Sequence, residues 1–241
     1  MIISHAYKFV LLSPWKTASS TCHATLSIYD ESHYLRFFYF NKYLNRVVHQ
    51  HVTLAEYLSL PESRLGYFTA AFVRNPYDRA YSGFLQLQDD IAIQPKIVFE
   101  HSWIKDLVKA QIVENQKRII EAEYDFNKWI LALPEYEVLE VGRNTNMPLH
   151  PANYWTHLDG KQGVDFIGKV EDFDFDFRHF CNITGIDAPN IKSANVRDEN
   201  GPAPTGRSGY KYLSKMSLPA IGRINELFKT DFELFGYEVV T

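Results

Sequence analysis

The sequence predicts an α/β fold with three layers, in which helices flank a mostly parallel central sheet. Three observations predict it. Short continuous apolar runs, YKFVLL at 7–12 and YFTAAFV at 67–73, read as strands buried on both faces. Each leads through a polar turn into residues with helical apolar spacing, and strands that alternate with helices imply parallel pairing. With 46% hydrophobic and 15% aromatic residues in 241, the chain can bury a sizeable core, which suits one domain over 1–241.

The elements follow in order. Ala18, Cys22, Leu26 and Tyr29 repeat at helical spacing after the first strand. TLAEYL predicts a short helix with Thr53 as its cap. YFTAAFV ends at Arg74, and Asn75-Pro76 opens a helix with proline in its first turn. Residues 86–118 read as a helical insertion carried by IKDLVKAQI. DFNKWILAL predicts a helix over 125–133 capped by Asp125. YEVLEV, 136–141, and VDFIGKV, 164–170, read as a third and a fourth strand. DFDFDFRHFCNITGI predicts a helix closed by Gly185. Residues 187–209 form a long loop rich in Asn, Pro, Gly and Ser, and a helix over 217–229 closes the chain.

Composition excludes several classes. A net charge of −4 argues against a general nucleic-acid binder. Two cysteines, Cys22 and Cys181, make no disulfide framework and fit reduced thiols in a cytoplasmic protein. The first residues, MIISHAYKFVLLSPWK, lack the cationic start and long apolar run of a signal peptide. No stretch approaches the roughly 18 apolar residues of a membrane span.

Two motifs carry chemistry. In PWKTASST, residues 14–21, a strand enters a loop and then a helix start, whose backbone N–H groups and dipole favour an anion. Ser19, Ser20 and Thr21 add hydroxyl donors, and Lys16 adds a charge that can follow a leaving oxygen. The second motif, RNPYDRAYS at 74–82, sets Arg74 after a strand and Ser82 in the second turn of the helix that follows, a pair suited to a second phosphate. Taken singly, each also fits a structural role: a lysine beside serines in a turn, an arginine at a sheet edge.

As an ordered pair, the motifs resemble those of the PAPS-dependent sulfotransferases, of the carbohydrate (Golgi-type) group and its short bacterial relatives. HVTLAEYL, DFIGKVEDFDFDF, the Asn in SANVR and TDFELFGYE extend the resemblance over about residues 7–237. Ser19 and Ser20 stand where the family pattern has a glycine and a small residue. The resemblance implies a P-loop-containing fold. It also implies sulfuryl transfer from PAPS to a hydroxyl of a carbohydrate or glycolipid, with adenosine 3′,5′-bisphosphate as product and no metal. It assigns the 5′-phosphosulfate to Lys16, Thr17, Ala18, Ser19, Ser20 and Thr21, and the 3′-phosphate to Arg74 and Ser82. Arg207, Ser208 and Gly209 echo a basic segment that covers the nucleotide, and Asn195 and Arg197 help close that side. Glu171 matches an acidic position read as structural. For the base, His51 comes first, with His49 two residues away; His150 is the runner-up and Glu31 a weaker option. A histidine suits the task because it can take a proton at neutral pH. The aromatics Tyr34, Phe37, Phe38, Tyr39 and Phe40 could stack on sugar rings, though such density usually marks a core. Two further readings stay open: a P-loop kinase using ATP and Mg²⁺, and a nucleotide-binding module of the same fold that has lost transfer.

Overall fold

The computed structural model describes residues 1–34, 37–93, 99–135, 149–187, 189–192 and 210–241. The chain folds as two compact units. One comprises 1–36, 40–74 and 154–209; the other comprises 37–39, 75–153 and 210–241.

The first unit is built on a four-stranded sheet. Its strands are β1 (Ile2–Ser4), β2 (Phe9–Leu12), β5 (Phe68–Val73) and β8 (Phe166–Lys169), in that spatial order. β2 and β5 are parallel, with Leu12 opposite Ala71, and β5 and β8 are parallel, with Val73 opposite Lys169. β1 runs antiparallel to β2 at the edge. The sequence reading did not separate β1, because its three residues are too few for a periodic signal. Two ribbons, β3 (Tyr39–Asn41) with β4 (Arg46–Val48) and β6 (His157–Leu158) with β7 (Lys161–Gln162), escaped it for the same reason.

Period-2 alternation sorts the strands onto two cores. Ile2, Phe9, Leu11, Ala70 and Phe72 pack against Cys22 and Leu26 of α1 (Ser19–Leu26) and Phe177, Phe180 and Cys181 of α6 (Phe173–Thr184). Ile3, Val10, Leu12 and Ala71 face the other way, onto Val52, Leu54, Tyr57, Leu60, Trp155 and Val164. Leu54 and Tyr57 belong to α2 (Leu54–Leu58). Both faces are covered, which is why these strands read as unbroken apolar runs. α2 starts at Thr53 with a reciprocal capping box: Thr53 N–H donates to Glu56 Oε2 at 2.8 Å, and Glu56 N–H to Thr53 Oγ1 at 3.3 Å. α6 ends at Gly185, whose φ of 73° is the left-handed turn a glycine takes without strain.

The second unit is helical. It holds α3 (Pro76–Ile93), α4 (Ser102–Glu121), α5 (Phe126–Ala132), α7 (Leu218–Leu227) and α8 (Lys229–Phe235). Residues 86–93 complete α3 and 102–118 lie in α4, so the stretch read as an insertion is shared between two helices of this unit. The side chain of Gln116 ties them, donating to the Leu87 carbonyl. Asp125 caps α5 through Lys128 N–H at 2.9 Å. The closing helix is two helices, because the chain turns at Phe228. The strand expected at 136–141 lies outside the described residues.

Candidate active site

In a parallel sheet, loops leaving the carboxyl ends of neighbouring strands share one edge. Here β2 delivers the loop 13–18, and β5, registered beside it, delivers Arg74. The lysine turn and the arginine, 58 positions apart in sequence, are thus neighbours at one sheet edge, and both remain partly exposed.

The loop's path answers the missing glycine. Its left-handed residues are Lys16, with φ 64°, and Ala18, with φ 60° and ψ 20°. Ser19 and Ser20 already lie in the first turn of α1, where ordinary helical angles serve and no glycine is needed. Left-handed turns at non-glycine residues cost free energy and concentrate at ligand sites. Turns of this kind aim backbone N–H groups into a concavity that suits an anion. α1 begins with no side-chain cap and no acidic residue in its first turn, so no carboxylate of that turn competes for its dipole. The Thr17 hydroxyl donates to the Pro14 carbonyl at 2.8 Å, which fastens the turn and leaves Thr17 its backbone N–H for a ligand.

His51, in the segment that precedes α2, is tied to this loop. Its Nδ1 lies 2.6 Å from the carbonyl oxygen of Ser13. A carbonyl only accepts, so Nδ1 carries the proton and Nε2 is the basic nitrogen. The His49 ring stacks on it, with centroids 4.7 Å apart and planes 10° apart. Capping at Thr53 fixes the chain two residues on.

Glu31 is elsewhere. Its Oε2 accepts from Ala6 N–H at 2.8 Å and from Ser4 Oγ at 3.2 Å, in the turn that precedes β2. That turn is at the opposite end of the strand from the loop, so Glu31 is no base for it. The Ala6 N–H holds its carboxyl below the ordinary range. Glu171 is exposed, between β8 and α6.

Ser82 and His150 belong to the second unit. Ser82 lies partly exposed in the second turn of α3, and His150 is buried. The rest of RNPYDRAYS does structural work there. Asn75 Oδ1 accepts from Tyr77 N–H at 2.9 Å. Asp78 receives the N–H groups of Lys211, at 3.1 Å, and Tyr212, at 2.9 Å. Arg79 and Asp231 form an ion pair at 3.3 Å, both side chains fully buried. Arg79 also donates to the His150 carbonyl at 2.7 Å, while Asp231 accepts from Ala152 N–H at 2.7 Å and Asn153 N–H at 2.9 Å. Sequence reasoning missed this pair; its signal was the second arginine of the motif and the aspartate of TDFELFGYE.

The aromatic cluster divides. Tyr39 is buried, Phe37 and Phe40 are exposed, and the Tyr34 hydroxyl donates to Glu62 at 2.7 Å. Asn195, Arg197, Arg207, Ser208 and Gly209 lie outside the described residues. Among the described residues, no helix is long and apolar enough to cross a membrane.

A family model described as the sulfotransferase family matches residues 1–238. No curated protein and no solved structure matches the chain. The match spans both units and contains the lysine loop, the arginine strand end and the His51 segment. The chain therefore belongs to the sulfotransferase family, enzymes that transfer a sulfuryl group.

Proposed function

We propose that this enzyme moves a sulfuryl group from PAPS to a hydroxyl of a carbohydrate or glycolipid. The observation that carries the reading is the β2–β5 register, which sets the Lys16 loop and Arg74 on adjacent strand ends. One nucleotide with anionic groups at both its 5′ and 3′ ends fits two cationic points on one edge. When bound, PAPS supplies the activated sulfuryl group and an anionic leaving phosphate.

The chain's own residues divide the work. Lys16 places positive charge where the leaving oxygen gains negative charge, which is worth most in a site that excludes water. The N–H groups of 17–21 hold the 5′-phosphate, and Arg74 holds the 3′-phosphate. His51 Nε2 takes the proton of the acceptor hydroxyl, and the Ser13 carbonyl stabilises the imidazolium that results. A base of this kind contributes roughly 10²–10⁴-fold. Lys16 and the loop dipoles supply the cationic charge that a metal supplies in a kinase.

Calorimetric titration with adenosine 3′,5′-bisphosphate tests the reading. Binding without Mg²⁺, tighter than that of AMP, is expected; binding of ATP that requires Mg²⁺ would move the assignment to phosphoryl transfer. Lys16→Ala should lower kcat by about 10²–10³-fold with little change in bisphosphate affinity. Arg74→Ala should weaken that affinity about 10–100-fold, the range of a lost charged hydrogen bond. Equal effects of both substitutions on both constants would refute the division of roles. The acidic limb of the pH profile of kcat/KM should vanish in His51→Ala; its survival there and loss in His150→Ala would transfer the base to His150.

A further inference from the structure

The helix α4 buries one face within its own unit. Ile104, Val108, Asn115, Gln116 and Ile119 are buried there, and Gln116 donates to the Leu87 carbonyl of α3. A helix packed on one side normally carries polar residues on the other. α4 departs from that rule, because Trp103, Val113 and Ile120 are 48%, 57% and 56% exposed.

The outward residues follow a pattern. Trp103, Asp106, Ala110, Val113, Lys117 and Ile120 are all exposed, and successive members are three, four, three, four and three positions apart. That is the a/d repeat of a coiled-coil seam, here about two and a half heptads long. On a helix of 3.6 residues per turn the six positions fall within about 100° of one another, on the side away from Ile104, Val108 and Ile119.

The two charged seam positions decide what the face fits. In a parallel pair of α4 helices each residue would meet its own copy, so Asp106 would face Asp106 and Lys117 would face Lys117. An antiparallel pair about a two-fold axis between Gln111 and Ile112 sets Asp106 against the second copy's Lys117. The same register sets Trp103 against Ile120 and Ala110 against Val113. By symmetry each of these layers occurs twice. Ala110, the smallest seam residue, lies beside the axis and lets the two helices approach. Within one chain Lys117 reaches Glu121 at 3.9 Å, an exposed pair that contributes little and is readily exchanged.

We propose that the Trp103–Ile120 face of α4 binds a second copy of this chain as an antiparallel two-fold pair, held in register by Asp106 and Lys117. The seam is short, so the dissociation constant falls at about 1–100 µM.

Sedimentation equilibrium of the full chain over about 1–200 µM tests the proposal. The wild type should pass from monomer to dimer over that range. Asp106→Lys and Lys117→Asp should each weaken the dimer at least about 10-fold, because like charges then meet across the seam. The double variant D106K/K117D should recover the wild-type constant, which also shows that these exposed positions tolerate the changes. Ala110→Glu should weaken the dimer as well. A chain that stays monomeric overturns the proposal, as does a dimer that survives Asp106→Lys and Ala110→Glu. Failure of the double variant to recover would overturn the antiparallel register. A monomer that binds phosphatidylglycerol vesicles and loses them in Trp103→Ala would give the face to a membrane instead.

Discussion

Desolvation pushes the Cys22 thiol, on the buried face of α1, up to about 12 from its ordinary 9.0. Burial likewise raises Cys181 to about 11 and Tyr57 to about 12. All three stay neutral in the native protein until the pH is well above that at which the unfolded chain ionises. The unfolded chain then binds fewer protons than the native one, so stability falls as pH rises from about 9 toward 12, at up to about 1.4 kcal/mol per pH unit for each group. Urea midpoints at pH 8 and pH 10.5 should show that decline, and Cys22→Ala should make it shallower. Neither thiol should react with a disulfide reagent at pH 8 before unfolding. The sequence revealed that the thiols form no framework; their inertness depends on the core that surrounds them. The same contrast holds at His51. Its identity as a candidate was legible, but its tautomer depends on one carbonyl 38 residues away.

Elements were most legible where the code is local. Thr53, Asp125, Asn75-Pro76 and Gly185 bound their helices because capping and left-handed turns involve residues within four positions of each other. Thr53→Ala should cost about 1 kcal/mol in chemical denaturation, with Thr53→Ser nearly neutral. Because His51 lies two residues before this cap, kcat should fall in Thr53→Ala as well. Strands of two or three residues were not legible, since β1, β3, β4, β6 and β7 complete too few periods for a pattern to register. α3 shows the opposite limit: its pattern was read correctly at the start, but nothing in sequence marked that it continues to Ile93.

At the scale of the molecule, long-range charge decides what the motifs leave open. Arg79 and Asp231, 152 positions apart, neutralise each other in full burial and together hold the backbone of 150–153. Removing one partner strands a buried charge. Arg79→Met or Asp231→Asn alone should each cost about 3–5 kcal/mol, and replacing both with apolar residues should cost much less than the sum. Denaturant midpoints of the two single variants and the double variant check this. By itself, the order of residues determined the strand–loop–helix units, their caps, and the lysine and arginine motifs, because each rests on neighbours in the chain. Tertiary structure alone decided that Lys16 and Arg74 share a sheet edge, that His51 bonds the Ser13 carbonyl through Nδ1, and that Glu31 lies at the wrong end of β2. Those outcomes depend on strand order and register, which are set by burying two faces at once.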